Sequence, residues 1–440
     1  MAVLFLHVVH VLHVLLLLLL LPADLDGLTI TTFNILAPVH RSMNSLNHRE
    51  SEREDWWRPR ALGVADYIST RFANSDVVLL QEWWFDDEFA AVFDSAVGGD
   101  FVRVAERRPG PGRDDGMCCL VRRSGRLDLV RSVSVSTGPQ RIAQIVHCRE
   151  RRRRSAGGSS SSGEDDDDPP RDVFVANAHL SYPGDPDPVV NERRQADEAS
   201  SILDALANVR DESWGGGGGG GGGAATATAG DRHWLEAVCG DFNSDSTGSA
   251  ARAVESRGFV NGASAIAEQA LSGGVGGRVN VGVTHRDHLG NRVSVDHVFL
   301  RSAMRPGGGG GRGGDEDASS SSSSSSFRDA PPSSTSSPPS SSAAALALGF
   351  LDARGTRILG VRREYIHLDG SGVLSDHRPV TARIAWPGRA DRSKKGREVL
   401  SSDMYLNATM PLDPLEPAWG IIDGWEEELL RGTYHRKMDR

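Results

Sequence analysis

Asp241 and Asn243 stand two residues apart at the end of a short apolar run (Leu235, Ala237, Val238), within Cys239-Gly240-Asp241-Phe242-Asn243-Ser244. On an extended backbone that spacing sends both side chains to one face. Asp241 offers a carboxylate that can take a proton or hold a cation, and Asn243 an amide that can donate to and accept from a phosphate. The same pattern also describes an Asp-x-Asn turn whose side chains cap the backbone. Five further strand ends or strand-adjacent loops carry comparable groups: Asn34, Glu82, His179, Asp296, and Asp376 with His377. Each has an ordinary reading by itself, as a turn residue, a solvated loop start, a satisfied structural histidine or a surface ion pair. All six, however, follow or adjoin apolar runs that bury their backbones in a sheet, and sites are commonly built where loops converge at strand ends.

This inventory fits hydrolysis of a phosphate ester. Such a reaction needs the phosphoryl oxygens neutralised, a water activated and the leaving oxygen stabilised. A hard divalent cation does the first, and carboxylate and amide oxygens are its natural ligands. Glu82 and Asn34 fit as ligands for Mg²⁺, with Mn²⁺ as the alternative ion. Asp241 suits the base that takes a proton from water, and Asn243 and His179 suit donors to the phosphate. His377 with Asp296 makes a positively charged clamp, because a carboxylate orients a histidine and stabilises its cation. Four cysteines (Cys118, Cys119, Cys148, Cys239) are too few and too irregular for a zinc site or disulfide framework, and they are expected as free thiols. The glycine runs lack a following Lys-Ser/Thr, so they are not phosphate-binding loops.

The elements that must position these groups are legible in outline. Strands are expected at residues 28–33, 77–80, 101–106, 117–121, 127–135, 143–148 and 173–178, then in a strand ending at Asp241, and at 293–300 and 379–384. Helices are expected from Pro59 to about Phe72, at 86–97, at 191–209 and near 248–257. The first of these takes Leu62, Ala65, Tyr67 and Ile68 as its apolar positions. Several strand runs follow one another and helices intervene irregularly, which argues for mixed sheets flanked by helices (an α/β, or α+β, fold) and against a repeating βαβ barrel.

With 440 residues and a net charge of −10, the chain has no overall basic character for holding nucleic acid by surface charge alone, though a catalytic cleft needs only a few local cations. Three low-complexity stretches, 151–171, 214–230 with nine consecutive glycines, and 306–345, bury too little apolar surface to order and read as disordered insertions. Without them, roughly 280 residues remain between Leu28 and Trp386, which suits one large α/β domain spanning 28–387. Residues 1–23 form an apolar signal or anchor segment, which favours the secretory pathway or membrane association over a cytoplasmic location. Residues 388–440 read as a polar tail with a short helix.

In order, the chain reads Thr32-Phe33-Asn34-Ile35-Leu36-Ala37, Leu80-Gln81-Glu82, Asn177-Ala178-His179-Leu180, Cys239-Gly240-Asp241-Phe242-Asn243-Ser244, Val295-Asp296-His297 and Ser375-Asp376-His377. This series resembles the endonuclease/exonuclease/phosphatase superfamily, the deoxyribonuclease I-like fold. The resemblance implies a four-layer sandwich of two packed mixed β-sheets with helices outside. It implies Glu82 as principal metal ligand with Asn34 beside it, Asp241 activating water, and Asn243 and His179 on the phosphate. The Asp296–His377 pair completes the set, with Asp376 adjacent and counted among the metal ligands. Asn-Ile-Leu-Ala and Cys-Gly-Asp-Phe-Asn-Ser look most like the carbon-catabolite-repressor type deadenylases. Asp115-Gly116, Arg141-Ile142-Ala143-Gln144 and the run from His285 to Asn291 are similar to a plant and algal subgroup sometimes described as calcium-binding. The tail has no loop of spaced acidic residues with a central Gly and closing Glu, so calcium sensing is not carried over. The expected activity is a 3′–5′ exonuclease on RNA or related nucleotides. The alternatives are a lipid or small-molecule phosphodiesterase at a membrane and a non-catalytic binding module that keeps the fold.

Overall fold

The computed structural model describes residues 27–151, 171–215, 233–265, 284–286, 292–304, 356–363 and 374–385. The apolar segment at 1–23, the interiors of the first two insertions, all of the third and the C-terminal tail lie outside the described residues. Among the described residues, no helix is long and apolar enough to cross a membrane.

Two six-stranded sheets make the frame. The first is built from β1 (Gly27–Asn34), β2 (Val77–Trp84), β3 (Phe101–Arg107), β4 (Asp115–Arg122), β13 (Arg357–Arg363) and β14 (Val380–Ala385), in the order β13-β14-β1-β2-β4-β3. The second uses β5 (Leu127–Gly138), β6 (Arg141–Glu150), β7 (Asp172–His179), β8 (His233–Asp241), β9 (Val260–Asn261) and β12 (Asp296–Met304), in the order β5-β6-β7-β8-β12-β9. A two-stranded ribbon, β10 (His285–Arg286) with β11 (Arg292–Val293), belongs to neither sheet and bridges through His285 to His377. Each sheet holds one parallel pair, β1 with β2 and β7 with β8, among antiparallel neighbours.

Alternation along the strands makes the layers. Leu28, Ile30, Val77 and Leu79 from the first sheet pack with Val173, Val175, Leu235, Ala237, Cys239 and Val298 from the second, forming the core between the sheets. The opposite face of the first sheet (Phe33, Val78, Leu80) is covered by α1 (Glu54–Arg71) and α2 (Asp87–Val97). The opposite face of the second (Phe174, Val238, Phe299) is covered by α3 (Pro188–Gly215) and α4 (Ser249–Ser256). The result is a four-layer sandwich of two mixed sheets with helices outside, as the sequence led us to expect.

Several local expectations are corrected. Helix α1 begins at Glu54, following a 3₁₀ turn at Glu50–Glu52, so Pro59 lies inside it and does not open it. Proline there forfeits one donor to the carbonyl four residues back. Leu62 is 52% exposed, and the buried stripe runs through Trp57, Ala61, Val64, Ala65 and Ile68. Arg60 is buried on that same stripe, pairing with Glu50 and donating to the carbonyls of Ile35, Leu36 and Leu374, which fastens the chain leaving β1. Trp214 belongs to α3 and packs against Phe174 and Trp234, so it is not part of an insertion. The run expected at 293–300 is split between the ribbon and β12, because Thr284 Oγ1 accepts from the backbone N–H of both Val295 and Asp296. All four cysteines are free and buried, and burial pushes the Cys148 thiol up to about 12.

Candidate active site

The two parallel pairs end side by side and deliver the site. Asn34 closes β1 in the same phase as Leu28 and Ile30, which face the intersheet core. His179 is in phase with Val173 and Val175, Asp241 with Ala237 and Cys239, and Asp296 with Val298 and Leu300. Simple alternation therefore carries these four side chains inward. For Glu82 it would do the opposite, since Val78 and Leu80 face the helices. A bulge between Gln81 and Trp83 supplies the correction, with Glu82 in the left-handed region at φ 58°. Gly240 allows the second pair to close, because at φ 142° an added Cβ would lie 1.9 Å from the Ala178 carbonyl oxygen. Just below the site, Gln81 Nε2 donates to Asn177 Oδ1 at 2.7 Å, and Asn177 Nδ2 donates to the carbonyls of Leu80 and Cys118. That link sets one sheet against the other.

Asn34 Nδ2 donates both to Glu82 Oε1 (3.1 Å) and to Asp241 Oδ2 (3.0 Å), so one amide bridges a carboxylate from each sheet. Glu82 Oε2 accepts from the Ala37 N–H, and Asn34 Oδ1 from that of Leu36. His179 Nε2 and His377 Nε2 lie 3.5 and 3.6 Å from Asp241 Oδ2. His377 Nδ1 is 2.9 Å from Asp296 Oδ2. The His377 loop is pinned by Ser375 Oγ, which donates to the Asn34 carbonyl and accepts from the His377 N–H. All of these side chains are buried.

Burial and neighbouring charge separate the two histidines. Burial works against a charge on His377, but Asp296 and Asp241 prevail and hold it well above the ordinary histidine range. His179 goes the other way: burial, then Arg108 and Arg141, press it well below that range. Asp241 is raised chiefly by burial and also by Asp296, with His377 partly opposing. The surroundings thus favour the charged form of His377 and the neutral form of His179, and they make Asp241 more basic than an ordinary carboxylate.

Six of the expected residues come together: Asn34, Glu82, His179, Asp241, Asp296 and His377. Asn243 does not share an extended backbone with Asp241. The strand stops at Asp241, Asn243 has φ 49°, and its N–H donates to Asp241 Oδ1 at 2.8 Å. The turn reading of this pair is therefore the observed one. Asn243 Nδ2 also donates to the Leu180 carbonyl, which leaves one of its amide hydrogens for another acceptor. Asp376 is exposed at the rim, 3.9 Å from His377 Nε2 and from His285 Nδ1, and it groups with these two histidines.

Five site residues had no role from sequence. Arg108 reaches His179 Nδ1 at 2.7 Å and Asp115 at 2.9 Å, and His40 approaches the same Asp115 carboxylate at 3.3 Å. Arg141 lies near enough to Arg108 for burial and that like charge to push it down to about 10. His285 stacks on His377 with ring centroids 4.1 Å apart. Asp115, Arg141 and His285 sit in motifs already distinctive in the sequence, which was the available signal. Arg108 sits in a loop after β3 and carried none.

The donor set fits a hard divalent cation. Glu82, Asp241 and Asp296 are buried carboxylates, and Asp296 Oδ1 has no hydrogen-bond partner among the described residues. The ligand atoms of Asp241, Asp296 and His377 also lie within 4.8 Å of one another, but His377, kept protonated between the two carboxylates, offers no lone pair, so the carboxylate oxygens are the available ligands. Oxygen-rich, thiol-free surroundings of this kind suit an ion of the Mg²⁺ type.

Among curated proteins, the chain is similar to an Arabidopsis thaliana protein described as "Uncharacterized calcium-binding protein At1g02270". The two are 22% identical over 277 residues, 62% of this chain and 50% of that one, so the chain spans about half the length of this relative. Among solved structures, it is similar to the human Nocturnin catalytic domain with bound sulfate anion (14% identity, 83% of this chain and 96% of that one, TM-score 0.44). It is also similar to an endonuclease/exonuclease/phosphatase from Bacteroides vulgatus (12% identity, 82% and 98%, TM-score 0.44). The sequence model of the Endonuclease/Exonuclease/phosphatase family matches residues 31–325. The chain therefore belongs to that family, whose members are metal-dependent hydrolases acting on phosphoester bonds.

Proposed function

We propose that this protein is a Mg²⁺-dependent phosphodiesterase, a 3′–5′ exonuclease acting on RNA or related nucleotides by metal-assisted attack of water. The observation that carries the reading is the Asn34 bridge between Glu82 and Asp241, with His179 and His377 on the same Asp241 oxygen. Glu82 would hold the ion, with Asn34 and Asp376 as the further residues proposed to hold it. The ion, when bound, offsets the charge of the phosphoryl and leaving oxygens. Asp241 takes the proton of the attacking water, a task its raised basicity suits. His179 Nε2 and the remaining Asn243 amide hydrogen donate to phosphoryl oxygens. His377, kept cationic by Asp296, stabilises the negative charge that develops beside Asp241.

The test is hydrolysis of an aryl phosphodiester by the full chain with Mg²⁺ and with EDTA, followed by a panel of poly(A), single-stranded DNA and sphingomyelin vesicles. Release of mononucleotides from the 3′ end of poly(A) supports the reading. Turnover of sphingomyelin alone would replace it with a membrane lipid phosphodiesterase. An inert wild type, indistinguishable from Asp241→Ala on every substrate, would leave a binding module.

A further inference from the structure

Arg108 is an unusual neighbour for a histidine in a phosphoesterase site. Its guanidinium nitrogen Nη2 lies 2.7 Å from His179 Nδ1, and both side chains are buried. A guanidinium has only donors and does not deprotonate, so Nδ1 must present its lone pair to Arg108. The imidazole hydrogen is then on Nε2, the atom that faces Asp241 Oδ2 at 3.5 Å and Glu82 Oε1 at 3.9 Å. Arg108 is itself held: Nη2 is 2.9 Å from Asp115 Oδ2, its N–H donates to the Asp115 carbonyl at 3.1 Å, and His40 Nε2 stands 3.3 Å from the same carboxylate oxygen. Asp115 is fully buried in β4, beside Gly116. An added Cβ at Gly116 would come 2.1 Å from the Glu106 carbonyl, so β3 and β4 run close enough to present the loop carrying Arg108 to the site.

We propose that Arg108 is a positioning residue that locks His179 in the Nε2–H tautomer, so that His179 serves as a fixed hydrogen-bond donor to a phosphoryl oxygen and not as the acid that protonates the leaving group. A histidine acting as that acid needs both ring nitrogens protonated before transfer, and the Arg108 contact excludes a hydrogen on Nδ1. The chain His40–Asp115–Arg108–His179 orients the donor from behind. The inference rests on the reading of His179 as a phosphate ligand, but its test does not depend on turnover.

In ¹⁵N-histidine-labelled full chain, the ring nitrogens of His179 are assigned by comparison with His179→Gln. Wild type shows a protonated Nε2 and an unprotonated Nδ1. Arg108→Met, which keeps an apolar stem but no donor, gives the averaged pattern of exchanging tautomers, and Arg108→Lys restores the fixed pattern in part. In kinetics, Arg108→Met lowers kcat by roughly 10–100-fold with little change in KM, the scale seen when a histidine loses the partner that orients it. A hydrogen on Nδ1 in the wild type overturns the proposal even if no variant folds. So does an Arg108→Met protein whose His179 pattern is unchanged. An inactive wild type with the fixed Nε2–H pattern would refute the proposed function and leave the tautomer assignment standing.

Discussion

His377 reaches from the loop before β14 in the first sheet to Asp296 at the head of β12 in the second, with Nδ1 2.9 Å from Oδ2. Neither sheet contains the site by itself. The first contributes Asn34, Glu82 and His377, and the second His179, Asp241 and Asp296. Asp296 is also the direct ladder partner of Asp241, so the carboxylate that charges His377 sits against the proposed base.

This pair makes a pH-dependent contribution to stability. The folded protein raises His377 above its ordinary value of 6.5. A raised histidine stabilises fully below that value, and the stabilisation is lost as pH rises through the folded one. Asp296→Asn should therefore cost about 3 kcal/mol at pH 6, the scale for breaking a buried pair. The difference from wild type should shrink at alkaline pH. Thermal unfolding in EDTA from pH 5.5 to 10 measures it, and a gap that widens with pH would contradict the assignment.

Asp241→Asn keeps the side-chain volume and removes the base. Phosphodiester hydrolysis should fall by about 10²–10⁴-fold, the usual contribution of a positioned base. Circular dichroism should show an unchanged fold. Near wild-type turnover would place the base elsewhere.

Glu82 is the proposed principal ion ligand, aimed inward only by its bulge. Glu82→Gln preserves length and lets the bulge persist while removing the ligand's negative charge. The Mg²⁺ concentration for half-maximal activity should rise by at least about 10-fold. An unaltered Mg²⁺ requirement removes Glu82 from the ion site.

Asn177 ties the sheets together through Gln81, Leu80 and Cys118. Asn177→Ala strands buried donors and acceptors, and about 3 kcal/mol of stability should be lost. Denaturant midpoints at constant slope report this loss. Because the link lies directly beneath Asn34 and Asp241, kcat should fall as well. Lost stability with intact kcat would confine Asn177 to a structural role.

Much of this arrangement was legible in the residues alone. The alternation of Leu28, Ile30 and Asn34, or of Leu235, Ala237, Cys239 and Asp241, already marks which polar group shares a face with the core. Glu82 breaks that phase, and only a motif drew attention to it, because a bulge has no dependable single-residue signature. Asn243 misled for a related reason: the two-residue spacing implies one face only while the backbone stays extended, and here the strand ends at Asp241. Arg108 was invisible because its importance comes from a partner 71 positions away.

By itself, then, the sequence determined most strand positions, a mixed-sheet fold flanked by helices, and the presence of an oxygen-rich, two-histidine inventory suited to phosphate esters. These follow from side-chain period and residue chemistry, which are local. The tertiary structure decided which histidine is cationic and which neutral. Imidazoles are intrinsically alike, and only the packing of Asp296 against one and Arg108 against the other sets them apart.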